Sequence, residues 1–222
     1  MARAARIRRV AKILALSSVI ALGCARPHFP GYVIEPIEPE TPPGEELTLP
    51  TPDSSDPNRR CRSILAIEVR KSEHALVAQC ADGEPIRFRA ALGREPRGPK
   101  ERRGDMKTPE GSYRVAGPAR ASRFHIFLPI DYPGESDAER ALQLGLISDA
   151  ERDQIIAAQS ASRLPPQDTR LGGNLGIHGE GPRWQGDSGG LDWTYGCVGL
   201  ADRDIDFLAT RVSTGTTVVI LP

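Results

Sequence analysis

Gly176-Ile177-His178-Gly179 and Thr194-Tyr195-Gly196-Cys197-Val198-Gly199-Leu200, whose cysteine stands nineteen residues after that histidine, are the stretches on which the reading of this 222-residue chain turns. Both are short apolar strand fragments broken by glycine, and each holds one chemically active side chain. A thiol attacks as the thiolate and is mostly protonated at neutral pH, so Cys197 needs a base beside it. Of the four histidines, His28 falls in a Pro-rich arm, His74 in a polar turn and His125 on a strand face, where a histidine is most often structural. His178 is the candidate base. The flanking glycines let a substrate approach and let backbone N–H groups face a developing oxyanion. No Cys/His cluster has metal-ligand spacing, so no metal or cofactor is expected.

Residues 61–222 around these stretches read as one domain with enough chain for a single core. Residues 64–69 and 75–79 are apolar runs on either side of Lys71-Ser72-Glu73, the pattern of a hairpin with a polar turn. Residues 86–92 alternate as a half-buried strand, residues 113–116 and 124–129 add two more, and residues 216–221 close the domain with β-branched side chains. The strings Ser136-Asp137-Ala138-Glu139-Arg140 and Ser148-Asp149-Ala150-Glu151-Arg152 each carry a capping-box spacing, which predicts two short helices starting near the serines, the first ending at Gly145. A last helix is predicted over 202–211.

The amino-terminal sixty residues are of another kind. Residues 1–23 carry Arg3, Arg6, Arg8, Arg9 and Lys12 without an acid, then an apolar run over 13–22, the build of an export signal. Ala21-Leu22-Gly23-Cys24 resembles a bacterial lipobox, which makes Cys24 a lipidation site; the alternative is an ordinary signal with an incidental cysteine. Residues 24–60 carry nine prolines among acidic residues, a tether with too little apolar surface to offset its ordering entropy. Such a spacer spans roughly 100 Å at most, at about 3.1 Å per residue. Lys plus Arg equals Asp plus Glu at 29 each, which argues against nucleic-acid binding through bulk charge. An exported, periplasmic or cell-envelope protein held to a membrane through Cys24 is the expectation.

In that compartment Cys61 and Cys80, at the open end of the first hairpin, are a disulfide candidate contributing about 3 kcal/mol by loop entropy. Two independent buried thiols are the alternative. Residues 87–107 carry a net +5, read as a solvated loop or as steering for anionic substrate, and residues 180–193 as a lid in which Trp184 and Trp193 make apolar contacts, or as a loop packed to the core.

Ile177-His178-Gly179 with Thr194-Tyr195-Gly196-Cys197-Val198 resembles the catalytic signature of the L,D-transpeptidase (YkuD-type) family. Gly104-Asp105-Met106-Lys107-Thr108-Pro109-Glu110-Gly111-Ser112-Tyr113 resembles a second block of that family, and residues 124–133 resemble its subgroup acting on peptidoglycan-bound lipoprotein. The resemblance covers residues 61–222. It implies a mainly β, sandwich-like domain with a few short helices, and acyl transfer on peptidoglycan stem peptides to an amine of another stem or of a lipoprotein. Water as acceptor would give hydrolysis, and a module that binds the wall without turnover is the non-enzymatic alternative. Carried over, Cys197 is the nucleophile, His178 the base and Gly179 the group orienting the imidazole, while Thr194, Tyr195 and Gly196 form the oxyanion and substrate segment. The chain departs from the pattern at Tyr195 for His, Thr194 for Ser, Gly199 for Arg and Asp202 for Asn.

Overall fold

The structure, a computed structural model, describes residues 61–182 and 192–222. Residues 1–23, expected to be an export signal, Cys24, the expected tether over 24–60 and Trp184 lie outside the described residues. Among the described residues nine strands form two sheets. In the first, β1 (Ile64–Arg70), β2 (Ala75–Cys80), β3 (Ile86–Arg89), β4 (Gly111–Arg114) and β9 (Thr217–Leu221) lie in the order β3-β2-β1-β9-β4. In the second, β5 (Arg120–Ser122), β6 (His125–Pro129), β7 (Gly176–His178) and β8 (Val198–Gly199) lie in the order β5-β6-β7-β8. Helices α1 (Glu135–Gln143), α2 (Asp149–Ser160) and α3 (Asp202–Ala209) complete the fold, which is mainly β. Among the described residues no helix is long and apolar enough to cross a membrane.

Alternation writes the core into each strand. Ile126 and Leu128 of β6, Ile177 of β7 and Val198 of β8 face inward, toward Ile67, Val69, Leu76 and Val218 of the first sheet, all buried. In β1 the alternation breaks once. Ile64 pairs with Cys80 but Ala66 with Gln79, a bulge that turns Leu65 outward at 64% exposure and lets both Ile64 and Ile67 enter the core. A disulfide joins Cys61 to Cys80 across the open end of this hairpin.

The two identical pentapeptides behave differently. At Ser148 the capping box forms: its amide donates to Glu151 Oε2 at 2.8 Å and its hydroxyl accepts from the Glu151 amide at 3.3 Å. The helix expected near Ser136 starts at Glu135, but its cap is not the Ser136–Glu139 pair: the Gly134 amide donates to Asp137 Oδ2 at 2.9 Å. Asp137 is fully buried and also accepts from Tyr113 Oη (2.8 Å) and Arg140 (2.6 Å), so tertiary partners assign the cap to it. Glu139 is left to pair with Arg152 at 3.5 Å.

The turn between β1 and β2 also departs from expectation, because Lys71 is not solvated. It is 4% exposed, and its ammonium donates to Gly98 O (2.7 Å), Thr108 O (3.1 Å) and Glu110 Oε1 (2.7 Å). A short 3-10 turn over Lys71–Glu73 aims the side chain inward. The charged run of residues 87–107 is likewise partly internal, since Lys100 is buried on Asp105 at 2.7 Å. Removing one partner of a buried pair leaves an uncompensated charge, at a cost of about 3 kcal/mol. Lys71→Ala should therefore lower the urea midpoint by an amount equivalent to about 3 kcal/mol with an unchanged m-value.

Candidate active site

His178 ends β7, and Cys197 immediately precedes β8. These strands pair in parallel, Ile177 against Val198 and His178 against Gly199. Paired residues share a face and neighbours along a strand alternate, so His178 and Gly199 point away from the core face of Ile177 and Val198. Continued by two residues along the chain, that parity puts Cys197 on the same outer face as His178, diagonally across one strand pair. Phe127 of β6 and Arg120 of β5 extend the same row, because Arg120 pairs with Phe127 and Phe127 with His178.

His178 is 2% exposed although it lies on the outer face, because aromatic rings enclose it. Phe124 stacks on the imidazole at 4.6 Å, Phe127 lies at 6.3 Å, and Trp193 meets it edge-on at 5.4 Å. Its Nδ1 is 2.7 Å from Gly179 O. A carbonyl only accepts, so in the neutral ring Nδ1 carries the proton and Nε2 keeps its lone pair. Burial lowers the imidazole from the ordinary 6.5 to about 4; the Gly179 carbonyl and Asp202 oppose that shift and Arg123 adds to it. Gly179 has no room for a side chain, since a Cβ would stand 2.4 Å from Asp202 Oδ1 and 2.8 Å from Phe124 O. Asp202 Oδ1 in turn accepts from the amides of Glu180 (2.8 Å) and Gly181 (2.9 Å), which fixes the turn that presents the Gly179 carbonyl.

Cys197 is half-buried and is the free cysteine of the described residues. Its thiol donates toward Asn174 O at 3.9 Å. Burial pushes the thiol up to about 11; the Gly176 amide and the more distant Lys100 pull the other way. The turn leading to Cys197 is held by two threonines. Thr194 Oγ1 donates to Cys197 O (2.7 Å) and accepts from the Gly196 amide (3.1 Å). Thr108, fully buried, accepts from the Gly93 amide at 2.9 Å and reaches Cys197 O at 3.5 Å. Gly196 has φ +124 and a Cβ there would lie 2.7 Å from Lys107 O, so the turn admits only glycine. Among the described residues no group of three or more His, Cys, Asp or Glu side chains could hold a metal.

A sequence model of the YkuD family, the L,D-transpeptidase catalytic domain, matches residues 65–220. The chain belongs to this family. No curated protein matches it. Among solved structures it is similar to the helical cell shape determining protein Pgp2 (K307A mutant) of Campylobacter jejuni, with 17% identity and a TM-score of 0.46 over 71% of this chain and 46% of that one. It is also similar to an L,D-transpeptidase from Mycobacterium smegmatis, with 13% identity and a TM-score of 0.40 over 71% of this chain and 58% of that one. The chain thus spans about half the length of these structures.

Within this L,D-transpeptidase domain, the positions that depart from the family pattern have identifiable surroundings. Gly199 leaves a space that the Trp193 indole fills, 3.1 Å from where a Cβ would stand. Tyr195 is 52% exposed, with the Arg94 guanidinium 4.9 Å over its ring. Two assignments of the substrate segment change. Thr194 is 2% exposed with its hydroxyl committed inside the turn, so it positions the segment and does not face a ligand. The Gly196 amide, expected to face an oxyanion, donates to Thr194 Oγ1. His74 and His125 sit in surface pairs with Asp192 (3.0 Å) and Asp206 (2.6 Å). Sequence reasoning missed Phe124, Phe127, Asn174 and Asp202 as parts of the site. Phe124, in the turn before β6, and Phe127 on it gave no periodic signal, because a spacing of three alternates faces along a strand and only the fold brings both rings to the imidazole.

Two outcomes follow from the neutral pair. Because the folded-state value of His178 lies below its unfolded value, stability from its burial is complete above pH 6.5 and is lost as pH falls toward about 4. His178→Gln should remove about 3 kcal/mol of that acid-limb slope, read from urea midpoints at several pH values. Cys197, protonated at rest, should react with iodoacetamide at pH 8 about a hundredfold more slowly than free cysteine, with a rate that climbs toward pH 11.

Proposed function

We propose that this domain catalyses cysteine-dependent acyl transfer on peptidoglycan stem peptides through a thioester on Cys197. The observation that carries the reading is the placement of Cys197 and His178 on one face of the β7–β8 pair, with Gly179 O holding Nδ1 so that Nε2 is the basic nitrogen. In the proposed step the Cys197 sulfur attacks the carbonyl before a terminal D-amino acid while its proton passes to His178 Nε2. The carbon–nitrogen bond breaks, the leaving amine takes that proton, and the acyl group remains as a thioester. An incoming amine then attacks, its proton goes to His178, and the thiol leaves and is reprotonated. The acceptor is an amine of a second stem or of a lipoprotein.

The enclosed surroundings favour a particular timing. Burial disfavours the charged form of both groups, so thiol and imidazole rest neutral and the proton moves as the carbonyl arrives. With the Gly196 amide engaged by Thr194, the Cys197 amide is the candidate donor to the oxyanion. The proposal extends to the amino-terminal segment: export by residues 1–23, a lipid on Cys24, and a Pro-rich spacer that lets the domain reach the wall from an envelope membrane.

Incubating the protein with diaminopimelate-containing muropeptides and a lipoprotein peptide, with mass spectrometry of products and protein, tests this. The expected results are cross-links or adducts and an acyl mass on Cys197, all absent in Cys197→Ala. His178→Gln should lower the rate by roughly 10²–10⁴. Shortened peptides without adducts would make water the acceptor, and no Cys197-dependent change would refute the reading.

A further inference from the structure

The row across the second sheet does not end at the imidazole. Arg120, paired with Phe127 in register, holds its guanidinium 5.0 Å over the Phe127 ring, and Phe127 is in turn stacked toward His178. A cavity of about 280 Å³ opens on this face, lined among others by Arg120, Phe127, Leu164, Gln167, Asn174 and Leu175. One of its lining residues, Asn174, also neighbours the nucleophile, its carbonyl 3.9 Å from the Cys197 thiol. Its volume is near the lower edge of ligand pockets, ~300–1,000 Å³, which suits a short peptide segment better than a glycan strand.

The lining is apolar apart from two carboxamide side chains and one full charge. Leu164 is 51% exposed beside the opening, an apolar surface with no core role. Gln167 spends its carboxamide within the protein, donating to Tyr132 O (2.8 Å) and Pro165 O (2.8 Å) and accepting from the Asn174 amide (2.6 Å). Arg120 is exposed, and no carboxylate of the described residues pairs with it. By contrast Arg114, on β4 of the other sheet, is committed to Asp131 at 2.9 Å. A guanidinium fork fixed by stacking on an aromatic face is preorganised for bidentate binding of a carboxylate.

We propose that this cavity is the acyl-donor subsite and that Arg120 binds a free carboxylate of the donor peptide, placing its scissile carbonyl at Cys197. The inference rests on the acyl-transfer reading, but the anion site has a readout of its own. Arg120 is a binding residue here, with no part in proton transfer.

Two small alkylating agents of like size, iodoacetate and iodoacetamide, differ in carrying a carboxylate. Their rates at Cys197, measured by protein mass, report a cation beside the thiol without any turnover. Arg120→Gln should lower the iodoacetate-to-iodoacetamide rate ratio about three- to tenfold and leave the iodoacetamide rate unchanged, while Arg120→Lys should restore most of the ratio. With an acidic diaminopimelate donor, Arg120→Gln should raise KM about tenfold or more with kcat little changed, and an amidated donor should not distinguish the variants. An unchanged alkylation ratio, or an equal KM effect on both donors, overturns the assignment of Arg120. A lowered ratio without turnover of any muropeptide would instead refute the acyl-transfer reading and leave the anion subsite standing.

Discussion

The parallel pairing of β7 with β8 is the constraint on which the site depends. It is only two residue pairs long, Ile177 with Val198 and His178 with Gly199. One member of each strand, Ile177 and Val198, is buried in the core, and that burial fixes which way the other members point. A register slip by one residue would send the imidazole inward and Ile177 out, exchanging a polar group for an apolar one at a cost the core would not tolerate. The register is therefore locked by hydrophobic packing on one face, and the juxtaposition of Cys197 and His178 is its consequence on the other.

A second layer holds the short strands in place. The loop between β3 and β4 passes beneath the Cys197 turn, where Thr108 meets Cys197 O and Lys107 O crowds Gly196. That loop has little regular structure, so its backbone groups need other partners. Lys71 from the first hairpin satisfies Gly98 O and Thr108 O, and Asp105 gathers Lys100 and the amides of Glu101 and Arg102. Buried charges are expensive unless fully paired, and here each ammonium has its carboxylate and its carbonyls. The aromatic enclosure of His178 acts in the same sense on protonation, excluding water and holding the ring neutral.

Much of this was legible in the chain. Alternating apolar residues located the strands other than β5 to within a few positions, and the Gly-flanked His178 and Cys197 stood out as a candidate base and nucleophile. The second pentapeptide read correctly as a capped helix because its cap uses only neighbours, Ser148 and Glu151. In the first the cap falls two residues earlier, at Gly134 instead of Ser136, because Asp137, three residues beyond Gly134, is claimed by Tyr113 and Arg140, and Tyr113 is 24 residues away. Lys71 misled for the same reason, since its partners lie 27 to 39 residues on.

By itself the sequence determined what local chemistry can determine: the strand and helix segments, the glycines demanded by tight turns, and the family to which the two motifs and the Thr108 loop belong. The tertiary structure alone decided that Thr194 is a brace, that Trp193 fills the space beside Gly199, and that Arg120 stands at a cavity lined also by Asn174, with no carboxylate of the described residues paired to it. The physical reason is range. Propensity and capping act over a few residues, whereas burial, aromatic stacking and the pairing of charges depend on which distant segments share a face, and only the packed core sets that.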